Sequence, residues 1–308
     1  LAFPAASGDS TWPTIVPSLF FLYGLLGIST AAVRASTRSR PDSMLRQQVQ
    51  AWWLIFPVLT AGLWVYPMGS TGLVWLICAL AARELSSHWP GPRAPFFGLC
   101  GTTFLANQWV NSVLPATSLW HPAGVLVVLV AVGLCRRHRR PLLVGTFVLT
   151  LLGVGHLVQI AQLPALGHTG LAWTFYLLAL TCLNDIAQFV SGKTLGRHAI
   201  APGISPNKTW QGLAGGVVVS VALSVAIGTR LQLAAPAVLV ALGAALALGG
   251  FAGDLVFSAI KRVLQLKDFS RLIPGHGGIL DRADSLVLTA PLLHALLLTV
   301  QLHAGIAP

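Results

Sequence analysis

Residues 258–285 read SAIKRVLQLKDFSRLIPGHGGILDRADS. Asp268, Asp281 and Asp284 lie inside this stretch and Asp254 stands just before it, in a chain of 308 residues with only eight acidic side chains. Five of the nineteen Lys and Arg residues are here as well: Lys261, Arg262, Lys267, Arg271 and Arg282. The sequence on either side is almost entirely apolar. An ordinary loop at a membrane surface accounts for the basic residues. It does not account for the aspartates, because acidic side chains near membrane depth are costly and usually functional. Phosphate and metal chemistry accounts for both.

The composition sets the solvent. The chain is 55% hydrophobic and 9% charged, against about 25% charged for a soluble domain. Lipid is therefore the medium for most of it. The net charge of +11 is carried by short basic clusters between long apolar runs. That is the positive-inside arrangement, not a continuous nucleic-acid-binding face, and no nucleic acid partner is expected. Cys78, Cys100, Cys135 and Cys182 are isolated, with no CxxC pair. They read as free thiols rather than as disulfides or zinc ligands. The first ten residues, LAFPAASGDS, lack a basic n-region and are not read as a cleaved signal peptide.

A spanning helix needs about 20 mostly apolar residues. Ten runs qualify: 12–33, 49–66, 71–82, 95–114, 122–134, 141–163, 169–190, 212–229, 233–254 and 284–303. The third and fifth are short. With the N-terminus outside, eighteen of the nineteen Lys and Arg residues fall in loops on one side, and only Arg230 falls on the other. Such a bias sets orientation. The expected fold is all-α: a polytopic membrane protein with about ten transmembrane helices, both termini outside. Residues 1–163 form a scaffold or lipid corridor, with a homodimer surface as a further use. Residues 164–308 form the chemical half, with cytoplasmic loops 191–211 and 255–283. The lone His156 reads as a packed or helix-bonded residue. Arg136, Arg137, Arg139 and Arg140 read as a membrane-surface anchor.

The spacing places the chemistry. Asp254, Ser258 and Lys261 are four and three residues apart, so a helix carries them on one face. Asp281 and Asp284 share a face in the same way. Hard oxygens suit Mg²⁺, which takes one or two carboxylates, waters and substrate phosphates. Asp254 and Ser258 from one helix are expected to meet Asp281 and Asp284 from another across the metal. Between them, Pro274-Gly275-His276-Gly277-Gly278 is no regular helix, and its glycines let backbone N–H groups approach phosphate oxygens. A second polar segment runs from Asp185 through Lys193 to Ser205-Pro206-Asn207-Lys208-Thr209. Gly192-Lys193-Thr194 is not a Walker loop, because position 187 is alanine and no strand precedes it.

The first stretch resembles the signature of the phosphatidate cytidylyltransferase (CDP-diacylglycerol synthase) family. Ser258, Ile260, Lys261, Arg262, Lys267, Asp268, Ser270, Ile273, Pro274, His276, Gly277, Gly278, Ile279, Asp281, Arg282 and Asp284 all stand in its register. The second segment is also similar, with Asp185, Gly192, Gly196 and SPNKTWQGLAGG. Gln188, Gln211 and Ala283 depart from the pattern. The resemblance covers about the last 130 residues closely. It implies the reaction CTP + phosphatidate → CDP-diacylglycerol + diphosphate, in a bacterial inner membrane with the site facing the cytoplasm. It implies Mg²⁺ as cofactor, with K⁺ beside it, and metal binding at Asp254, Ser258, Asp281 and Asp284. Lys261, Arg262 and Arg282 would clamp phosphates, with Lys267, Asp268 and His276 in the catalytic set. Gly277 and Gly278 would face the triphosphate, while Asp185, Lys193, Ser205, Lys208 and Thr209 shape the nucleotide side.

Three other readings compete. The departures leave room for a paralogue that acts on another acidic lipid. A transporter predicts inverted repeats and ionisable groups near mid-span, and neither is seen. A CDP-alcohol phosphotransferase needs a DG-x2-AR pattern that is absent.

Overall fold

Apolar runs of this length have no water to satisfy their peptide groups, so each closes its own hydrogen bonds as a helix. A computed structural model describes residues 12–36, 44–135, 138–163, 166, 169–273, 275 and 277–303. The described residues form ten helices: α1 Trp12–Ser36, α2 Met44–Trp64, α3 Met68–Ser86, α4 Ala94–Val113, α5 Trp120–Leu134, α6 Arg139–Gln162, α7 Gly170–Leu195, α8 Trp210–Arg230, α9 Pro236–Val263 and α10 Leu280–His303. Each covers one of the ten apolar runs. Six of them, α1, α3, α6, α7, α8 and α9, are long and apolar enough to cross a membrane. The rest are the 15-residue α5 and the more mixed α2, α4 and α10.

Two features differ from the expectation. The loop expected at 255–283 starts later, because helix α9 runs on from Asp254 to Val263 and carries Ser258 and Lys261, as their spacing required. Lys261 and Arg262 in its last turn favour this, because cations stabilise a helix C-terminus. The second polar segment is also not a plain connector, so the chain is not wholly α. Strands β1 Ala199–Ala201 and β2 Ser205–Thr209 pair antiparallel as a small hairpin, turning at Pro202-Gly203. Thr209 then caps α8, its Oγ1 accepting a hydrogen bond from Gly212 N at 3.1 Å.

One hydrophobic core runs through both halves of the chain, from Ile15 and Leu85 to Leu149, Tyr176, Phe257 and Val287. Helix α6 packs against α3, α5 and α10, while α7, α8, α9 and α10 form a tight group. Small residues allow that closeness, as is usual between membrane helices. A side chain at Gly253 would strike the backbone of Asp284, and one at Gly216 would strike Gln188. Buried polar pairs tie the group together. Tyr176 and Ser224 hydroxyls meet at 2.5 Å, and those of Thr181 and Thr289 at 3.1 Å.

The polar connections gather at one end of the bundle. His88 and Arg139 reach the carbonyls of Phe269 and Leu264. Arg140 bonds the Pro90 carbonyl at 3.2 Å and lies over the Trp89 ring. Arg139 and Arg140 thus reach neighbouring segments and stay exposed. Arg136 and Arg137 lie outside the described residues.

Candidate active site

The connection from α9 to α10 is built around two buried carboxylates. Asp281, in the first turn of α10, is 6% exposed. Its Oδ1 accepts from Lys261 Nζ at 2.5 Å, and its Oδ2 accepts from Phe269 N at 3.0 Å and Gly278 N at 2.9 Å. Glu84, at the end of α3, is 3% exposed. Its Oε1 accepts from Ser270 Oγ at 2.6 Å and Ile279 N at 2.7 Å, and its Oε2 accepts from Leu280 N at 3.1 Å. These acids serve the orphan N–H groups of the α10 N-terminus, where negative charge is favoured. The chain can turn beneath them because Gly277 takes a φ of 81°, a region that disfavours other residues. A side chain at Gly278 would run into the Glu84 carboxylate.

Three more carboxylates approach one another from three helices: Asp185 on α7, Asp254 on α9 and Asp284 on α10. Asp284 lies within electrostatic range of Asp254, Asp185, Arg282 and Lys261, and Asp185 within range of Asp254, Arg282 and Lys208. Ser285 organises two of them. Its Oγ donates to Asp185 Oδ1 at 2.9 Å, and its N–H donates to Asp284 Oδ1 at 2.8 Å. Asp254 Oδ2 pairs with Lys208 Nζ at 2.5 Å, and Ser258 Oγ donates to Asp254 Oδ1 at 3.4 Å. The Asp254 side chain is 37% exposed, so the group opens to water through it. Among the described residues, Asp185 Oδ2 and Asp284 Oδ2 accept no hydrogen bond from the protein.

This donor set fits Mg²⁺ in kind: hard anionic oxygens with unpaired acceptor atoms. Among the described residues, no three His, Cys, Asp or Glu side chains already surround a single point. Mg²⁺ does not require that, since it retains several waters and uses one or two carboxylates.

The other anticipated residues divide between two places. Lys208, Lys261 and Arg282 border the carboxylates. Arg262 points away, its Nε donating to the Ile204 carbonyl at 2.9 Å and so fastening the hairpin to α9. Ser205 lies in β2, and Thr209 serves as the α8 cap. Lys193, Lys267 and Asp268 are exposed, with Lys193 over the Phe189 ring. The expectation that Gly278 offers its N–H to phosphate is corrected, because that N–H is directed inward to Asp281. Asp281 likewise has both oxygens engaged, so the open carboxylate beside Asp254 and Asp284 is that of Asp185. His276 lies outside the described residues.

Sequence reasoning overlooked Glu84, whose partners sit as far as 196 positions along the chain. A lone acid in an Arg-Glu pair at the end of a short apolar run was its only signal. The departure at Gln211 has a local use. Its Oε1 accepts from Arg197 N and His198 N at 3.0 and 3.3 Å, and its Nε2 lies 3.2 Å from His198 Nδ1.

Comparison with known proteins gives this geometry a family. Residues 46–300 match the model of the cytidylyltransferase family. The chain is 42% identical over 146 residues to the uncharacterised protein YnbB of Escherichia coli K12, covering 47% of this chain and 49% of that protein. It is 39% identical over 137 residues to a phosphatidate cytidylyltransferase of Bacillus subtilis, covering 44% and 51%. It is 41% identical over 138 residues to a phosphatidate cytidylyltransferase of Chlamydia muridarum, covering 43% and 45%. The chain spans about half the length of the curated relatives it matches. With the family model covering most of its length, the chain belongs to the cytidylyltransferase family.

Proposed function

We propose that this protein transfers the CMP moiety of CTP to phosphatidate, releasing diphosphate and forming CDP-diacylglycerol. One observation carries the reading: carboxylates from α7, α9 and α10 approach one another beside Lys208, Lys261 and Arg282 at the polar end of an apolar helix bundle. The family and the names of the Bacillus and Chlamydia relatives support the choice of nucleotide and lipid.

Both reactants are anions. An oxygen of the lipid phosphate attacks the α-phosphorus of CTP, and the bond to the β-phosphate oxygen breaks. No general base is obligatory, because a phosphate monoester is already ionised at neutral pH. The protein must align two phosphates and offset the charge on the departing diphosphate. Lys208, Lys261 and Arg282 supply positive charge at that place. Asp185, Asp254 and Asp284, with the Ser258 hydroxyl, would hold Mg²⁺, and Asp281 would keep Lys261 aimed at the site. Bound there, Mg²⁺ would polarise phosphoryl oxygens and neutralise developing charge. K⁺ beside it belongs to the same proposal.

The ten helices are read as membrane spans with both termini outside, in a bacterial inner membrane with the carboxylates facing the cytoplasm. The basic loops at a common end support that orientation. Exposed aromatics such as Phe20, Phe21, Trp53 and Trp109 suit lipid, and a homodimer would use the same faces. The test is incorporation of radiolabelled CTP into lipid by the purified protein, with phosphatidate added or withheld. Label in the lipid fraction only when phosphatidate and Mg²⁺ are present supports the reading, and no phosphatidate-dependent label overturns it.

A further inference from the structure

Away from the carboxylates, three histidines on three helices come together. His294 lies ten residues beyond Asp284 on α10, about 15 Å along the helix. His156 comes from α6, and His121 from the first turn of α5. The ring centres of His156 and His294 are 5.2 Å apart, and those of His121 and His294 6.4 Å. His156 and His294 are buried, at 2% and 0% exposure.

Two of the three rings have one nitrogen committed. His156 Nδ1 lies 2.7 Å from the Leu152 carbonyl, which is the helix bond expected of a lone histidine in an apolar span. His294 Nε2 lies 2.8 Å from the Ala116 carbonyl. The His121 ring faces the backbone at Leu114 and Pro115. A carbonyl only accepts, so in His156 and His294 these ring nitrogens carry the protons, and the other nitrogen of each presents a bare lone pair. Those nitrogens, His121 Nε2, His156 Nε2 and His294 Nδ1, are buried without a hydrogen-bond partner among the described residues. His121 and His156 also line a cavity of about 150 Å³ with Asn107, Asn111 and Gln159. Buried acceptors in a native fold call for a partner.

Three imidazoles with buried unpartnered nitrogens, two of them backed by an N–H tied to a backbone carbonyl, resemble the usual ligand pattern of a late first-row divalent cation. Nitrogen donors suit Zn²⁺ and do not suit Mg²⁺. Two imidazoles on one tetrahedral zinc, with Zn–N bonds of about 2.0–2.1 Å, hold their ring centres about 5 Å apart. The His156 and His294 rings have that separation. His121 stands wider, and among the described residues no three such side chains are at coordinating distance. Closure therefore needs the His121 ring, half-buried at the start of α5, to swing inward. The cavity offers room for water as a fourth ligand. We propose that His121, His156 and His294 form a zinc-class cation site that pins α5 to α6 and α10, separate from the carboxylates.

The test uses the whole chain, freed of any affinity tag, in detergent and stripped with chelator. Co²⁺ is the probe, because tetrahedral Co²⁺ has visible absorption bands. With Mg²⁺ in excess throughout to occupy the carboxylates, the expected result is one tetrahedral Co²⁺ per chain, displaced by Zn²⁺. Binding should weaken about tenfold or more in His156→Ala and in His121→Ala, and stay unchanged in Asp284→Asn. His121 lines the cavity and is only half-buried, so that variant keeps the test open if His156→Ala fails to fold. No Co²⁺ bands in the unaltered protein, equal affinity in His121→Ala, or loss of binding in Asp284→Asn would each overturn the proposal.

Discussion

Asp281 and Asp284 stand three residues apart on α10, are equally buried, and have opposite circumstances. Asp281 has both oxygens engaged, by Lys261 and two backbone N–H groups. Asp284 has one oxygen engaged, by the N–H of the next residue, and faces two other carboxylates. Acids engaged at both oxygens hold a structure together. Acids gathered with unpaired oxygens are held in place for something that is not protein. The comparison teaches that the same residue type, within one helical turn, can serve architecture or chemistry, and that its partners tell which.

The sharpest way to break this distinction is to remove Asp281. Asp281→Ala leaves Lys261 and two N–H groups buried without a partner, and should cost about 3–5 kcal/mol of stability. Lys261→Met combined with Asp281→Leu should recover part of that loss, measured by thermal melting. Recovery would mark the pair as structural. Removing Asp284 should act on the other side of the comparison. Asp284→Ala should lower CTP-dependent lipid product about 10²–10³-fold, while the melting temperature stays the same or rises as repulsion with Asp185 and Asp254 is relieved. Unchanged turnover would erase the difference between the two acids.

Glu84 extends the structural group into the first half of the chain. Glu84→Ala leaves the Ile279 and Leu280 N–H groups unpaired and should cost about 1–3 kcal/mol. Amide hydrogen exchange across residues 269–281 should speed up, and no change there would show that the α9–α10 connection holds without it. The smallest effect is expected at Gln211. Glutamate keeps the acceptor for Arg197 N and His198 N, so Gln211→Glu should shift stability by no more than about 0.5 kcal/mol.

The helices could be read from the sequence because lipid leaves an apolar run no alternative to internal hydrogen bonding. All ten runs are helices. Where polar residues begin, that rule stops applying, and helices run past the apolar stretches there: α2 begins at Met44, α7 continues to Leu195 and α9 to Val263. The hairpin was hidden for a related reason. Ser205-Pro206-Asn207 has poor strand propensity, and only Pro202-Gly203 hints at the turn. In the site, the spacing of Asp254, Ser258 and Lys261 put them on one helix, and they are on α9. Which acids face one another was not readable. Asp185 reaches Asp284 through Ser285, 100 positions away, and Glu84 reaches Leu280 across 196. Local periodicity carries no information about such pairings.

The central claim is that Asp185, Asp254 and Asp284 together bind a divalent cation. Thermal melting of the purified protein with increasing Mg²⁺, beside Asp284→Asn, tests it most directly. The account predicts a saturable rise in melting temperature for the unaltered protein. Asp284→Asn should start at the same temperature or higher and show no response to Mg²⁺. An equal Mg²⁺-dependent rise in both proteins would contradict it.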